Sequence, residues 1–433
     1  MAQTLESIAE MIRHHPRLVI ADDFEIAFQH TVCHSTRFQN GLAAQDTQTD
    51  RLWVSLRILH RKRGGKASWI NPTKENLSQL VDAAFESAQR SSLDPWFRFP
   101  IWKALTPPNE RDAAAFSEGS HYDLLGAPAT LFDEVYDKRT VETFIRRKTE
   151  KQNRSSTARR FSSRLSLFQS GENETPFFLR EERVGRGLPE EVQGWVRALG
   201  LKAAQRAQGK AGRMPQGAQR VLLSPQAAAL WLQSVAPWFY ADRFQEGRSP
   251  LGEAPANVAS VITLIDDGRH PSSAQGAWFD LEGSPTQKTV LVKKGAQQSC
   301  LYDVYSATRE NRLSTGNYFR APSDGFASIQ PSALYLEPGT QGFEAMLREV
   351  GEGIYLDQVE RWDFTPQSPR RVGVLASGWR VSGGKLAEPL SGIEAEWDLG
   401  ALLQGAAAVG SELEFFAGFG APPVLIDGLA LRS

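Results

Sequence analysis

The stretch LIDDGRHPSSAQGAWFDLEGSPTQKTVLVKKG, residues 264–295, decides how the second half of the chain is read. Residues 258–265 form a short continuous apolar run, as a buried strand requires. Asp267-Gly268 then reads as a turn. Residues 289–294 are again strand-like. Gly295 supplies a turn, so residues 299–305 are expected to return as the second arm of a hairpin. A second hairpin is expected from 371–381 and 385–390, across Ser382-Gly383-Gly384.

Upstream, Ser224-Pro225 is a helix start: serine caps, and proline is tolerated in the first turn. The helix would run over 226–236, almost wholly apolar, until Pro237 ends or kinks it. Residues 343–350 read as a short helix. The segment 208–217, QGKAGRMPQG, is rich in Gly, Pro and charge and reads as a domain boundary. Before it, residues 5–12 have helical spacing, and 24–32 and 51–60 alternate as strands. Asn71-Pro72 would open a helix with Leu77, Leu80, Val81, Ala84 and Ala88 on its buried stripe. Residues 157–168 and 176–184 suggest further strands, and 190–207 a helix. The fold class expected is α+β in two domains. Residues 1–208 would be an N-terminal α/β domain with a mixed sheet and helices. Residues 218–433 would be a mainly-β domain with one buried helix near its start.

Bulk composition narrows the function. Among 433 residues, 49 Lys and Arg face 50 Asp and Glu, so no global field draws the chain to nucleic acid or anionic lipid. Two cysteines, Cys33 and Cys300, make no disulfide framework and fit a reducing compartment. The opening MAQTLESIAEMIRHHPR lacks the apolar core of a signal peptide. No run approaches the ~18 apolar residues of a membrane span. A cytoplasmic protein is expected.

Several phrases, in order, resemble the TldD/PmbA family. They are residues 264–295 above, with Asp-Asp-Gly followed by Asp-x-Glu-Gly-x-Pro-Thr-Gln; LSTGN, 313–317; GEGIYLDQV, 351–359; and PVLIDGLAL, 423–431. The N-terminal strand–strand–helix order and Asp94-Pro95-Trp96-Phe97 also match the family layout. The resemblance implies that catalytic, TldD-like members carry His-Glu-x-x-x-His on the buried helix. There the two His and a Cys near the C-terminus hold zinc, and the Glu is the general base. Setting VLLSPQAAALWLQSVAPW, 221–238, on that helix puts Gln233 and Ser234 at the His-Glu pair and Trp238 at the second His. Glutamine is a poor zinc ligand, serine is no base at neutral pH, and the indole nitrogen only donates. EFFAGFGAPP, 414–423, has no Cys.

The resemblance therefore implies a metal-free, TldE/PmbA-like member, not catalytic alone. Its partner would be a TldD-like subunit carrying the zinc, and the pair would process or degrade unfolded peptides. The alternative is a stand-alone homodimer that binds peptides without hydrolysing them. No cofactor is expected in this chain.

Other candidates carry blander readings. His30, Cys33 and His34 are metal-ligand types, but strand alternation puts Cys33 on the face opposite the two His, and zinc usually needs three or four ligands. Asp266-Asp267-Gly268 offers two carboxylates, which on a strand point to opposite faces, so turn chemistry is preferred. Ser314, Gly316 and Asn317 could hold a peptide backbone or an anion, yet such a tetrapeptide is more often a turn. The basic stretch 138–164 reads as a solvated surface segment rather than a nucleic-acid site, because the chain is neutral overall. No P-loop, G-x-S-x-G elbow or dinucleotide fingerprint is present.

Overall fold

The computed structural model describes residues 2–39, 42–102, 131–150, 153–170, 176–185, 201, 217–251, 258–273, 276–320, 326–365 and 368–431. The boundary expected at 208–217 falls outside them up to residue 216, and so does the helix expected over 190–207, apart from residue 201.

The N-terminal half opens with helices α1 (Ala2–Arg13) and α2 (Pro16–Val19). Strands β1 (Asp23–Gln39), β2 (Leu42–His60) and β3 (Arg63–Ile70) follow. Arg61 and Lys62 take positive φ at the β2–β3 turn, matching its twist to the strands. Helix α3 (Lys74–Arg90) comes next, then β4 (Leu131–Arg147), β5 (Arg154–Ser170) and β6 (Pro176–Gly185). The sheet order is β3-β2-β1-β4-β5-β6, with β4 docking on the free side of β1.

The α+β class holds, but this first sheet is antiparallel throughout, not mixed. The two-residue turn Arg61-Lys62 joins antiparallel neighbours, as so short a connection must. The capping of α3 also differs from expectation. Thr73 is the N-cap, its Oγ1 accepting Asn76 N–H at 3.4 Å. Asn71 instead sits at φ 50 and accepts Leu52 N–H across the sheet at 2.7 Å.

Alternation gives the sheet two buried faces. Ile26, Phe28, Val54, Leu56 and Ile58 pack under α1 and α3, against Leu80, Val81 and Phe85. Each such side chain contributes roughly 1.5–3 kcal/mol on leaving water. Ala27, Trp53 and Ile145 point the other way and meet Phe279, Leu281 and Ala327 of the C-terminal half. The expected solvated basic segment 138–164 is instead largely β4 and β5, and Arg147 and Arg154 turn inward.

The C-terminal half begins with β7 (Gly217–Leu223), α4 (Pro225–Val235) and a 3-10 turn (Ala236–Phe239), then α5 (Ala241–Gln245). Next come β8 (Leu264–Asp267), β9 (Lys288–Lys293), β10 (Ala296–Gln297), α6 (Val304–Arg309), β11 (Tyr318–Arg320), β12 (Ala327–Ile329) and β13 (Leu334–Leu336). The last stretch holds α7 (Phe343–Val350), β14 (Gly353–Thr365), β15 (Ser368–Ser382), β16 (Lys385–Asp398), α8 (Leu399–Gly405), β17 (Ala406–Val409), β18 (Glu414–Phe416), β19 (Phe419–Ala421) and β20 (Val424–Leu431).

Two six-stranded sheets result, β16-β15-β14-β7-β20-β17 and β10-β9-β8-β13-β19-β18, with β11 and β12 paired apart. Helix α4 touches β7 and β14 of one sheet and β13, β18 and β19 of the other, so it is the buried filling between them. Gly383 and Gly384 both take positive φ in the β15–β16 turn, as expected there. The first hairpin is shorter than expected. β9 returns only as β10, and 304–309 is helical because Asp303 caps Ser306 N–H at 2.8 Å. Of the run 258–265, only the end becomes strand β8. Among the described residues, no helix is long and apolar enough to cross a membrane.

Candidate functional site

Helix α4 forms because Ser224 Oγ accepts Ala227 N–H (3.3 Å), proline fills the first turn, and alanines and leucines face both sheets. Gln233 is exposed. Ser234, one residue on and about 100° round the helix, is buried. Its hydroxyl donates to Leu230 O (3.0 Å) and accepts Trp362 Nε1 from β14 (2.9 Å). Trp238 is buried in the 3-10 turn that Pro237 imposes, with the Arg370 guanidinium 5.8 Å above its ring. This trio does not match the donor set of a zinc site. Its one hydroxyl is committed on both sides, and its indole has no lone pair to give. Among the described residues, no three His, Cys, Asp or Glu side chains are grouped to hold a metal ion.

The Asp-Asp-Gly and Ser-Thr-Gly-Asn phrases come together. Asp266, buried in β8, accepts Asn317 Nδ2 (2.8 Å), Ser332 Oγ (2.7 Å) and the N–H groups of Ser332 and Ala333 (2.9 Å each). Burial raises its pKa, and these donors work against the rise. Asp267 accepts Arg269 N–H in a local turn, at 3.0 Å. A Cβ on Gly268 would lie 2.7 Å from Thr286. Ser314 donates to Tyr302 O and accepts Gly316 N–H, both at 3.0 Å. Gly316 has φ 75 and passes so close to Pro285 O that a Cβ would be 2.3 Å away. These residues brace three segments, and every carboxylate oxygen of Asp266 has a partner.

His30 lies on β1 with its Nε2 2.8 Å from Asp50 Oδ1 and its Nδ1 3.8 Å from Glu142 Oε2. Both carboxylates come from neighbouring strands, so the sequence around His30 did not reveal them. Cys33 and His34 are not part of that group; the Cys33 thiol faces the His34 carbonyl at 4.0 Å.

A densely charged buried site among the described residues was missed in the sequence. The loop Asp280-Leu281-Glu282-Gly283 inserts against the N-terminal sheet. Arg57 of β2 donates through Nε (3.1 Å) and Nη2 (2.6 Å) to Glu25 Oε1, and through Nη1 (2.5 Å) to Glu282 Oε1. The other oxygen of Glu282 accepts Val304 N–H at 2.7 Å. Asp280 accepts the N–H groups of Glu282 and Ser284 (2.9 Å each) and Tyr318 (3.0 Å). Trp102 seals the loop, its indole N–H on Glu282 O at 3.0 Å and its ring where a Gly283 Cβ would stand. Arg154 lies 4.9 Å over the Trp102 ring, and Arg147 reaches Asp23 at 3.2 Å.

Burial pushes Asp280 and Glu282 up; Arg57 works against the rise at Glu282. Burial would lower Arg57, but Glu25 and Glu282 hold it charged well above its usual value. The Asp-x-Glu-Gly phrase was visible as a motif. What could not be seen was its partner, an arginine 225 residues away.

The sequence pattern described as the PmbA/TldA metallopeptidase C-terminal domain matches residues 216–433. An uncharacterized protein of Methanocaldococcus jannaschii is 35% identical over 163 residues, 37% of this chain and 37% of its own length. A protein of Methanothermobacter thermautotrophicus named metalloprotease is 26% identical over 237 residues, 53% of this chain and 50% of its own. The chain thus spans half or less of the length of these curated relatives. The crystal structure of TldE from Thermococcus kodakarensis superposes with a TM-score of 0.80 at 19% identity, covering 99% of this chain and 100% of that one, a likeness of fold.

Proposed function

This chain belongs to the TldD/PmbA metallopeptidase family, and from that premise we propose that it is a TldE-like, non-catalytic subunit of a zinc peptidase complex acting on unfolded peptides. The observation that carries the reading is the double engagement of Ser234. At the helix position where the general base would stand, a buried hydroxyl is bound to Leu230 O and Trp362 Nε1. Trp238 occupies the second ligand position as a buried ring. The helix is kept as a core element between two sheets, while its catalytic groups are replaced. Zinc and hydrolysis belong to a TldD-like partner, and this chain completes or steadies the assembly and holds substrate.

Extended peptide can be held by strand addition, since backbone partners suffice. Co-expression with a TldD-like protein, followed by size-exclusion chromatography and a peptidase assay, tests the proposal. One mixed peak with activity above that of the partner alone is expected. Two separate peaks with unchanged partner activity would sink it, and peptide retained by this chain alone would favour the homodimeric binding protein instead.

A further inference from the structure

At one end of the N-terminal sheet β1 begins while β2 and β4 finish, so their connections gather there. They are residues 19–22 leading into β1, the Arg61-Lys62 turn, and residues 148–150 after β4. The strap 91–102, which follows α3, crosses the same end. Hydrogen bonds tie these pieces together. Lys148 Nζ donates to Val19 O (3.4 Å) and Ala21 O (2.5 Å). His60 Nδ1 lies 3.1 Å from Ile20 O. Asp94 N–H donates to Lys62 O at 3.1 Å, and Arg147 donates to Pro100 O, next to Ile101.

The side chains carried by these connections are apolar and unburied. Ile101 is 91% exposed and Val19 70%, and Ile20, Leu93 and Trp96 are exposed as well. A single exposed aliphatic side chain is ordinary, but a group on adjoining connections marks a contact surface. Arg61, Lys62 and Arg98 stand exposed among them, with no ion-pair partner among the described residues. The nearby carboxylates are engaged by the chain's own N–H groups. Asp22 accepts Arg61 N–H (2.7 Å), Asp94 accepts Trp96 N–H (2.9 Å) and Glu150 accepts Trp102 N–H (3.4 Å).

We propose that this end of the N-terminal half is a docking surface for an anionic lipid bilayer. Aliphatic and tryptophan side chains on separate connections can enter the headgroup layer one by one, because a fluid surface needs no matching shape. Arg and Lys set between them lay their stems along apolar surface, keep their charge in water and meet lipid phosphate. A protein partner fits less well, since the cores of protein interfaces are depleted of charge and here cations stand between the apolar residues. A second copy fits worse still, because a two-fold contact would set Arg61, Lys62 and Arg98 against their own kind. The chain is neutral overall, so the attraction is local to this end. It does not depend on pairing with a catalytic subunit.

The test is co-sedimentation of the isolated full chain with vesicles, at low and high salt. One set is phosphatidylcholine alone and the other an equal mixture of phosphatidylcholine and phosphatidylserine. Partitioning onto the mixed vesicles should be at least about tenfold stronger and should weaken with salt. Arg61→Asn/Lys62→Asn places at both positive-φ positions a residue that tolerates them, and should lose about tenfold or more of that partitioning. Ile20→Ser/Ile101→Ser removes apolar surface without touching charge and should also lose about tenfold. Thermal melting checks that both variants fold.

Equal partitioning onto the two kinds of vesicle would overturn the proposal, as would partitioning onto neither. So would a folded variant of either pair with undiminished partitioning. A dimer in sedimentation that Ile20→Ser/Ile101→Ser dissociates, without vesicle binding, would overturn it too and assign this end to a second copy of the chain.

Discussion

Arg57 Nη1 stands 2.5 Å from Glu282 Oε1, and this ion pair fastens the N-terminal sheet to the Asp-x-Glu-Gly loop of the C-terminal domain. The same guanidinium holds Glu25, which Arg147 Nε also faces at 3.9 Å, so Arg57 serves two buried carboxyl groups and shares one of them. Arg57→Ala should therefore leave Glu282 without its cation and Glu25 with only the more distant Arg147, and cost about 3–5 kcal/mol, the range for breaking a buried pair from one side. Urea unfolding checks this. A loss within the ±0.5 kcal/mol typical of surface changes would mean that the pair does not hold the halves together.

The same site makes stability depend on pH. Burial pushes Asp280 up to about 7 and Glu282 up to about 8. Unfolded, these side chains titrate near 4, so the folded chain binds their protons more tightly. The resulting stabilisation is complete below about pH 4 and is lost as pH rises through about 7 and then about 8. Melting temperature should fall as pH rises from about 4 to about 8 and level off above that, and Glu282→Gln should flatten the alkaline part of that fall. Calorimetry on both proteins is the check; a melting temperature that rises over this range contradicts it.

Asp266 and Asp267 are neighbours with different work. Asp266→Ala strands the Asn317 and Ser332 donors and should cost about 3 kcal/mol or more, because buried donors without partners pay their full desolvation. Asp267→Ala removes one local turn bond and should cost less than about 1 kcal/mol. In the proposed assembly with a TldD-like partner, peptidase activity at a permissive temperature should survive both changes. Loss of activity from a folded Asp266→Ala complex would make it a catalytic residue after all.

Ser234→Ala removes the acceptor for the buried Trp362 indole and should destabilise by about 1–3 kcal/mol. It should leave the metal content of the purified chain unchanged, with zinc well below one ion per chain in both proteins. Elemental analysis together with thermal melts decides this. Stoichiometric zinc in the unaltered chain would overturn the non-catalytic reading.

Legibility followed range. The start of α4 at Ser224-Pro225, the Gly383-Gly384 turn and the buried stripe of α3 were readable, because each rests on neighbours within a few residues. That Gln233, Ser234 and Trp238 are poor zinc ligands was readable as residue type. That Gln233 faces solvent while Ser234 is committed to Trp362, 128 residues away, was not. The basic run looked like a solvated surface because its partners are distant in sequence: Arg147 meets Asp23 and Glu25.

By itself the sequence determined what local chemistry dictates: the alternation of the strands, the caps and turns, and the apolar helix with the residue types it carries. Only tertiary structure decided which charges are buried and with whom. Burial and pairing depend on which side chains the sheets bring within a few ångströms, whatever their separation along the chain. For that reason the Asp-x-Glu-Gly phrase could be noticed as a motif, while its partnership with Arg57 became visible only when the two halves were packed.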